Sequence, residues 1–177
     1  MEKGMSQFCW SAGRCGVACP RACCQGQGMQ QPRQPPWAGS QGQGMAPWAS
    51  SQGQGISPDE KHLYVVESRA IPTRRIRVFD VIDGCSLGAS RVLIDASGGT
   101  PDGFRCDVDG NIWAGWGMGD PKLDGVMVFD PEGQPIGRIA LPERCANLCF
   151  GGRQRNRLFM ACGHGLYALY VNARGAV

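Results

Sequence analysis

Three stretches of the chain repeat one pattern at a spacing of 46 to 50 residues. That recurrence constrains the fold more than any other feature. "SPDEKHLYVVE" followed by "RIRVFDV" matches "DVDGNIWAGW" followed by "GVMVFDP", with Tyr64 over Trp113 and Phe79 over Phe129, at offsets of 49 and 50. A third copy, "GGRQRNRLFMAC" with "GLYALYV", places Phe159 46 residues beyond Trp113. Each copy reads as a polar turn, an aromatic strand and a second strand. A four-stranded unit recurring at roughly 40–50 residues is the mark of a β-propeller blade.

The copies belong to a longer series of short strand-like segments: 62–67, 75–81, 91–96, 103–108, 111–116, 125–130, 135–141, 147–152, 157–162 and 165–171. Val, Ile, Phe, Tyr and Trp fill them, and Gly, Pro, Asp and Asn lie between them. No window holds a helical period for three turns. The reading is all-β: an inner strand, two middle strands and an outer one, such as 91–96 or 135–141, in each unit. This yields two blades and most of a third, whereas propellers close with four to eight. The expectation is a partial propeller over 56–177 whose remaining blades lie N-terminal to Ile56. Open blades expose sheet edges, through which such a chain can self-associate.

Residues 1–55 are of a different kind. They hold no Leu, Ile, Tyr or Asp, one valine, ten glutamines and ten glycines, with "PPWAGSQGQGM" and "APWASSQGQGI" in tandem. So few large apolar groups cannot offset the entropy of ordering a backbone, which predicts a disordered low-complexity segment. The net charge of +3 resides wholly in this segment. No clustered Lys/Arg stripe marks a nucleic-acid partner. No apolar run is long enough to span a membrane, and arginines break the N-terminus before a signal-peptide core develops, so cytoplasm is the default expectation. Five of the ten cysteines crowd the first 24 residues at spacings that do not suit a zinc knuckle. Cys106, Cys149 and Cys162 fall within apolar strands and read as small buried hydrophobes.

The chemistry-bearing stretch is "GGTPDGFRCDVDGNIWAGWGMGD", residues 98–120. Asp102 sits in Pro-Asp-Gly, a sequence that makes a plain turn as readily as a site. Asp107, Asp109 and Asn111 imitate a calcium loop but lack the terminal Glu and flanking helices, and read as a hairpin turn between an inner and a second strand. "GWGMGD" imitates a phosphate loop with no helix to follow it. Trp113 reads as blade core, and Trp116 and Met118 as residues reaching the loop above a site. His62 and His164 lack a nucleophile at a recognisable spacing. Asn147 opens an inner strand one blade beyond Asp102, where it could line a channel and contact a substrate.

Pro-Asp-Gly, Asp-x-Asp-Gly-Asn-x-Trp, Phe-Asp-Pro-x-Gly and Leu-Pro-Glu occur here in an order and spacing that resemble the C-terminal half of the senescence-marker-protein, gluconolactonase and luciferin-regenerating-enzyme family, over about residues 57–176. The resemblance implies a six-bladed propeller that hydrolyses sugar lactones with one divalent cation, commonly calcium, with zinc or manganese as alternatives. It also implies that Asp102 is both a metal ligand and the general base. A hard cation takes oxygen ligands, and beside a carboxylate it can polarise a lactone carbonyl. The family's other two ligands, a first-blade Glu and a middle-blade Asn, have no counterpart in this sequence. The competing expectation is a non-catalytic propeller remnant or interaction module.

Overall fold

The computed structural model describes residues 53–176, so the segment expected to be disordered lies, up to residue 52, outside the described residues. Among the described residues eleven strands form three antiparallel sheets and no α-helix interrupts them. The first sheet orders β1 (Gln54–Ile56), β2 (His62–Glu67), β3 (Arg75–Ile82) and β4 (Ser86–Asp95). The second orders β5 (Phe104–Cys106), β6 (Ile112–Trp116), β7 (Gly125–Phe129) and β8 (Pro135–Ala140). The third has three strands: β9 (Cys145–Gly151), β10 (Arg157–Cys162) and β11 (Leu166–Tyr170). These are consecutive propeller blades, each a meander in chain order. The first strand begins at Gln54, two residues ahead of the boundary placed at Ile56.

The register explains the repeat seen in the sequence. Tyr64 pairs with Gly55, Trp113 with Arg105 and Phe159 with Cys149, so all three aromatics occupy the same ladder position, on the second strand opposite the inner one. Phe79 pairs with Leu63 and Phe129 with Ile112, again at one shared level. Alternation along a strand sends every second residue to the same face. Tyr64 therefore faces the second sheet, where it meets Phe104 edge-on at 6.2 Å. Trp113 faces the third sheet and meets Phe150 edge-on at 5.4 Å. Phe159 points to the outer face of the third sheet, where Arg157 lies over its ring at 5.0 Å.

Two cores result, one at each junction between sheets. Tyr64, Val66, Ile76, Val78 and Ile94 of the first sheet pack against Phe104, Ile112, Ala114 and Trp116 of the second. Val126 of the second packs with Cys145, Leu148, Leu158 and Met160 of the third, backed by Trp113 and Phe150. Each fully buried side chain of this size contributes roughly 1.5–3 kcal/mol, so face-to-face burial dominates over any single polar contact. Turns follow local chemistry: in the three-residue connection from β3 to β4, Asp83 and Gly84 both take positive φ, 52° and 66°, and Cys85 N–H closes the turn onto Ile82 O.

Two readings need correction. Trp116 does not stand free above a site. It is core, 4% exposed and 5.5 Å from Phe129. Cys149 is exposed, because Leu148 and Phe150 on either side face the second sheet and leave position 149 on the outer face. Cys145 is buried instead, helped by a register shift between Ala161 and Cys162. Burial, reinforced for Cys106 by the Asp107 charge and for Cys145 by its Cys162 neighbour, pushes both thiols up to about 12.

The Asp-x-Asp-Gly-Asn stretch is the hairpin turn expected of it, and its organiser is Asp107, only 1% exposed. This carboxylate accepts from the backbone N–H of Asp109 and Asn111 at 3.1 and 2.9 Å, from Asn111 Nδ2 at 2.9 Å and from Trp113 Nε1 at 2.9 Å. Residues 174–176 cross beneath it: Val108 N–H donates to Arg174 O, and Ala176 N–H to Cys106 O. Replacing Asp107 with Ala orphans four donors around a buried position. The expected loss is about 3 kcal/mol, with Asp107→Asn retaining part of it, read as the shift in urea midpoint at constant slope.

Candidate active site

Asp102 precedes β5, the innermost strand of the middle blade, and all three sheets hold the backbone around it. Ser68, just after β2, donates its hydroxyl to Pro101 O at 3.0 Å. Within the middle blade Asp102 N–H donates to Gly115 O, Thr100 N–H to Gly117 O, and Gly115 N–H to Gly103 O, at 2.9 to 3.0 Å. From the third sheet, Ala146 O accepts Gly103 N–H at 2.9 Å. This last contact requires glycine: a Cβ at 103 would collide with the Asn147 amide and stand 3.0 Å from Ala146 O. Gly99 is likewise pressed onto the Trp116 indole, so that ring supports the loop leading to Asp102 from below.

The Asp102 carboxylate is largely buried, 8% exposed for the residue. Burial pushes its carboxyl above the ordinary range, and the Arg144 guanidinium pulls against that rise. Arg144 Nη2 donates directly to Asp102 Oδ2. The arginine comes from the Leu-Pro-Glu-Arg loop between β8 and β9. Its stem lies over Gly117, where a Cβ would stand 2.8 Å from Arg144 Cβ and Cγ. Its Nε is buried without a hydrogen-bond partner among the described residues, as is the hydroxyl of Thr100, two residues before Asp102.

Asn147 is exposed, and its Oδ1 accepts its neighbour's amide, from Leu148, at 2.9 Å. Counting back from the Arg105–Trp113 and Cys149–Phe159 pairs puts Asn147 level with Gly103 and Ala146 level with Asp102. The amide nonetheless packs against Gly103, next to the carboxylate. Asp102, Asn147 and Arg144 are thus brought together. His62 and His164 are not: His62 Nδ1 lies 3.3 Å from Asp80, and His164, 98% exposed, caps Glu143. Surface concavities line other regions, one by Gly152, Arg153, Asn156 and Tyr170 at the β9–β10 turn, another by Ser57, Asp59 and His62. The first contains neither carboxylate nor nucleophile; the second sets Asp59 and Asp109 near Ser57 and His62, and neither includes Asp102.

Glu143 fixes the loop that carries Arg144. It accepts from the N–H groups of His164 at 2.7 Å and Gly165 at 2.9 Å, from His164 Nδ1 at 3.0 Å and from Tyr167 OH at 3.2 Å.

The residues present do not fit a divalent-cation site. Among the described residues no three His, Cys, Asp or Glu side chains converge in a metal-holding group. A hard cation takes six or more oxygens. Here one Asp102 oxygen receives a guanidinium, the Asn147 oxygen receives an amide, and the Ala146 carbonyl receives Gly103.

Three consecutive antiparallel sheets, each a meander in chain order, make this chain part of a β-propeller. The chain belongs to the SMP-30/gluconolactonase/LRE-like family, whose profile matches residues 44–164. It is similar to a gluconolactonase of Zymomonas mobilis, 32% identical over 130 residues, covering 67% of this chain and 34% of that protein. The solved gluconolactonase of Xanthomonas campestris shares 35% identity with a TM-score of 0.58, over 68% of this chain and 37% of the other. A luciferin-regenerating enzyme, at 20% identity and a TM-score of 0.60, shares the fold. The chain spans about a third of the length of the gluconolactonases it matches.

Sequence reasoning passed over Arg144 and Thr100. The signal for Arg144 was Leu-Pro-Glu-Arg at the entry to an inner strand, the same blade level that drew attention to Asn147. Two outcomes test the local account. Gly103→Ala should cost about 2 kcal/mol, since the new methyl meets backbone and a short amide that cannot retreat, measured by chemical denaturation. For Glu143, burial alone would raise the carboxyl, but the bonds from His164, Tyr167 and Gly165 outweigh it and hold its pKa below the ordinary 4.5. A depressed carboxylate stabilises above its unfolded value and stops doing so as pH falls through its folded one. Protection of the His164 and Gly165 amides, with exchange rates corrected for their intrinsic pH dependence, should therefore be full above pH 4.5 and fall as pH drops through the lower folded value, whereas Glu143→Gln should be poorly protected throughout.

Proposed function

We propose that the site around Asp102 serves hydrolysis of a sugar lactone, or of a related cyclic ester. The observation that carries the reading is a buried carboxylate with a raised pKa, set beside a guanidinium and an amide where three blades meet. A carboxyl raised toward working pH is a better proton acceptor than an ordinary one. Asp102 takes a proton from water as the water oxygen attacks the lactone carbonyl carbon. One N–H of Arg144 holds Asp102, and the remaining guanidinium N–H groups can neutralise the oxyanion that forms. The ring C–O bond then breaks, and the proton passes from Asp102 to the ring oxygen, leaving the open hydroxy acid. Asn147, whose Oδ1 is engaged, has its Nδ2 to offer a substrate hydroxyl. These steps use the chain's own groups. The cation implied by the resemblance, calcium first and zinc or manganese after it, has no ligand set here to assign it to.

Because the chain covers a third of its gluconolactonase relatives, a second reading stands beside this one: a propeller fragment without turnover that acts as an interaction module. The missing ligand partners of Asp102 favour it. Proton release from gluconolactone by the full chain separates the two, run with calcium, zinc or manganese and again with chelator. Hydrolase function predicts turnover above buffer that falls by about 100-fold or more in Asp102→Asn, with an unchanged melting profile. A rate equal to buffer in every arm removes the hydrolase reading for this chain and leaves the second.

A further inference from the structure

We infer that Arg144 is the resident cation of the Asp102 site, and that its guanidinium excludes a divalent metal ion from this carboxylate. The inference rests on the reading of Asp102 as the site carboxylate, but not on turnover.

Three observations carry it. Arg144 Nη2 donates to Asp102 Oδ2, so one of the two carboxylate oxygens is already bonded to a positive group and the charge an incoming ion would neutralise is already neutralised. The arginine cannot swing away cheaply. Its Cβ and Cγ are packed over Gly117, at a backbone φ of 149° where the absence of a side chain makes room for that stem. One residue before Arg144, Glu143 is tied to the backbone of His164 and Gly165. An ion reaching Asp102 would therefore share a confined space with a fixed unit charge of its own sign, partly out of water, where screening is weak. Nor does the neighbourhood compensate: the nearby amide and carbonyl oxygens each already accept a protein hydrogen bond, and the unpartnered Thr100 hydroxyl is a neutral oxygen that offsets none of the arginine's charge. A guanidinium is always protonated and less strongly hydrated than an aqueous metal ion, so it holds a partly buried carboxylate at a smaller dehydration cost.

The test follows manganese by paramagnetic broadening of backbone amide resonances in the full chain. The probes are Gly103 and Gly115, whose amides flank the carboxylate. Wild-type protein should show no selective, saturable broadening of these two signals. Arg144→Gln should gain it, at a manganese concentration at least ten-fold below any effect in wild type, and adding Asp102→Asn to that variant should abolish it. Arg144→Met keeps the stem over Gly117 and serves as a second neutral variant should the first fold poorly. Arg144→Lys should stay silent, because the charge remains. Selective broadening in wild type that disappears in Asp102→Asn overturns the inference: the metal would then bind despite the arginine. Silence in wild type and in both neutral variants also overturns it, since something other than Arg144 would be keeping the ion out. Lactone turnover, measured separately, fails or succeeds independently of this pattern and so judges the hydrolase reading alone.

Discussion

The site depends on one backbone hydrogen bond between neighbouring blades, Gly103 N–H to Ala146 O. Adjacent sheets of a propeller normally touch through side chains, which keeps their main chains apart. At this point the chain dispenses with a side chain and the two inner strands meet directly. The consequences run outward from there. Asp102 is drawn to the level of the third blade, the Asn147 amide closes over the glycine, and the loop before β9 passes near enough for Arg144 to bond the carboxylate. The apolar junctions supply the stability, but this contact sets the positions.

Two aspartates five residues apart show how environment divides one side-chain type between roles. Asp107 is buried with four donors converging on it, and the turn it organises is what its charge accomplishes. Asp102 is almost as buried, yet its side chain receives one direct partner, a guanidinium from another blade. A carboxylate satisfied by its own turn is structural. One left short of donors and held by a long-range cation is costly to keep charged, and such groups concentrate where chemistry is done.

Much of the fold was legible because its period is visible in single residues. Tyr64, Trp113 and Phe159 stand at one ladder position, and their spacing in the chain is the spacing of blades. Strand alternation misled where both faces were not read together, as at Cys149. The site was half legible. Asp102 could be found in Pro-Asp-Gly, and Asn147 through the inner-strand pattern. Arg144 could not be attached to Asp102, since 42 residues of chain and a change of blade separate them. Nor could a ladder of glycines announce that 103 and 117 are the positions where two loops lie almost in contact. Such proximity is a property of how blades stack, and no local preference encodes it.

The thiols divide along the same geometry, with a practical consequence. Cys106 and Cys145 sit inside the blade junctions and remain protonated in any ordinary buffer, so alkylating reagents and mild oxidants find no thiolate there. Cys85 and Cys149 are exposed, one at a hairpin tip and one on the outer surface of the third blade. A maleimide dye would therefore decorate the periphery of this region while leaving its junctions chemically silent, and loss of that selectivity would report the blades coming apart.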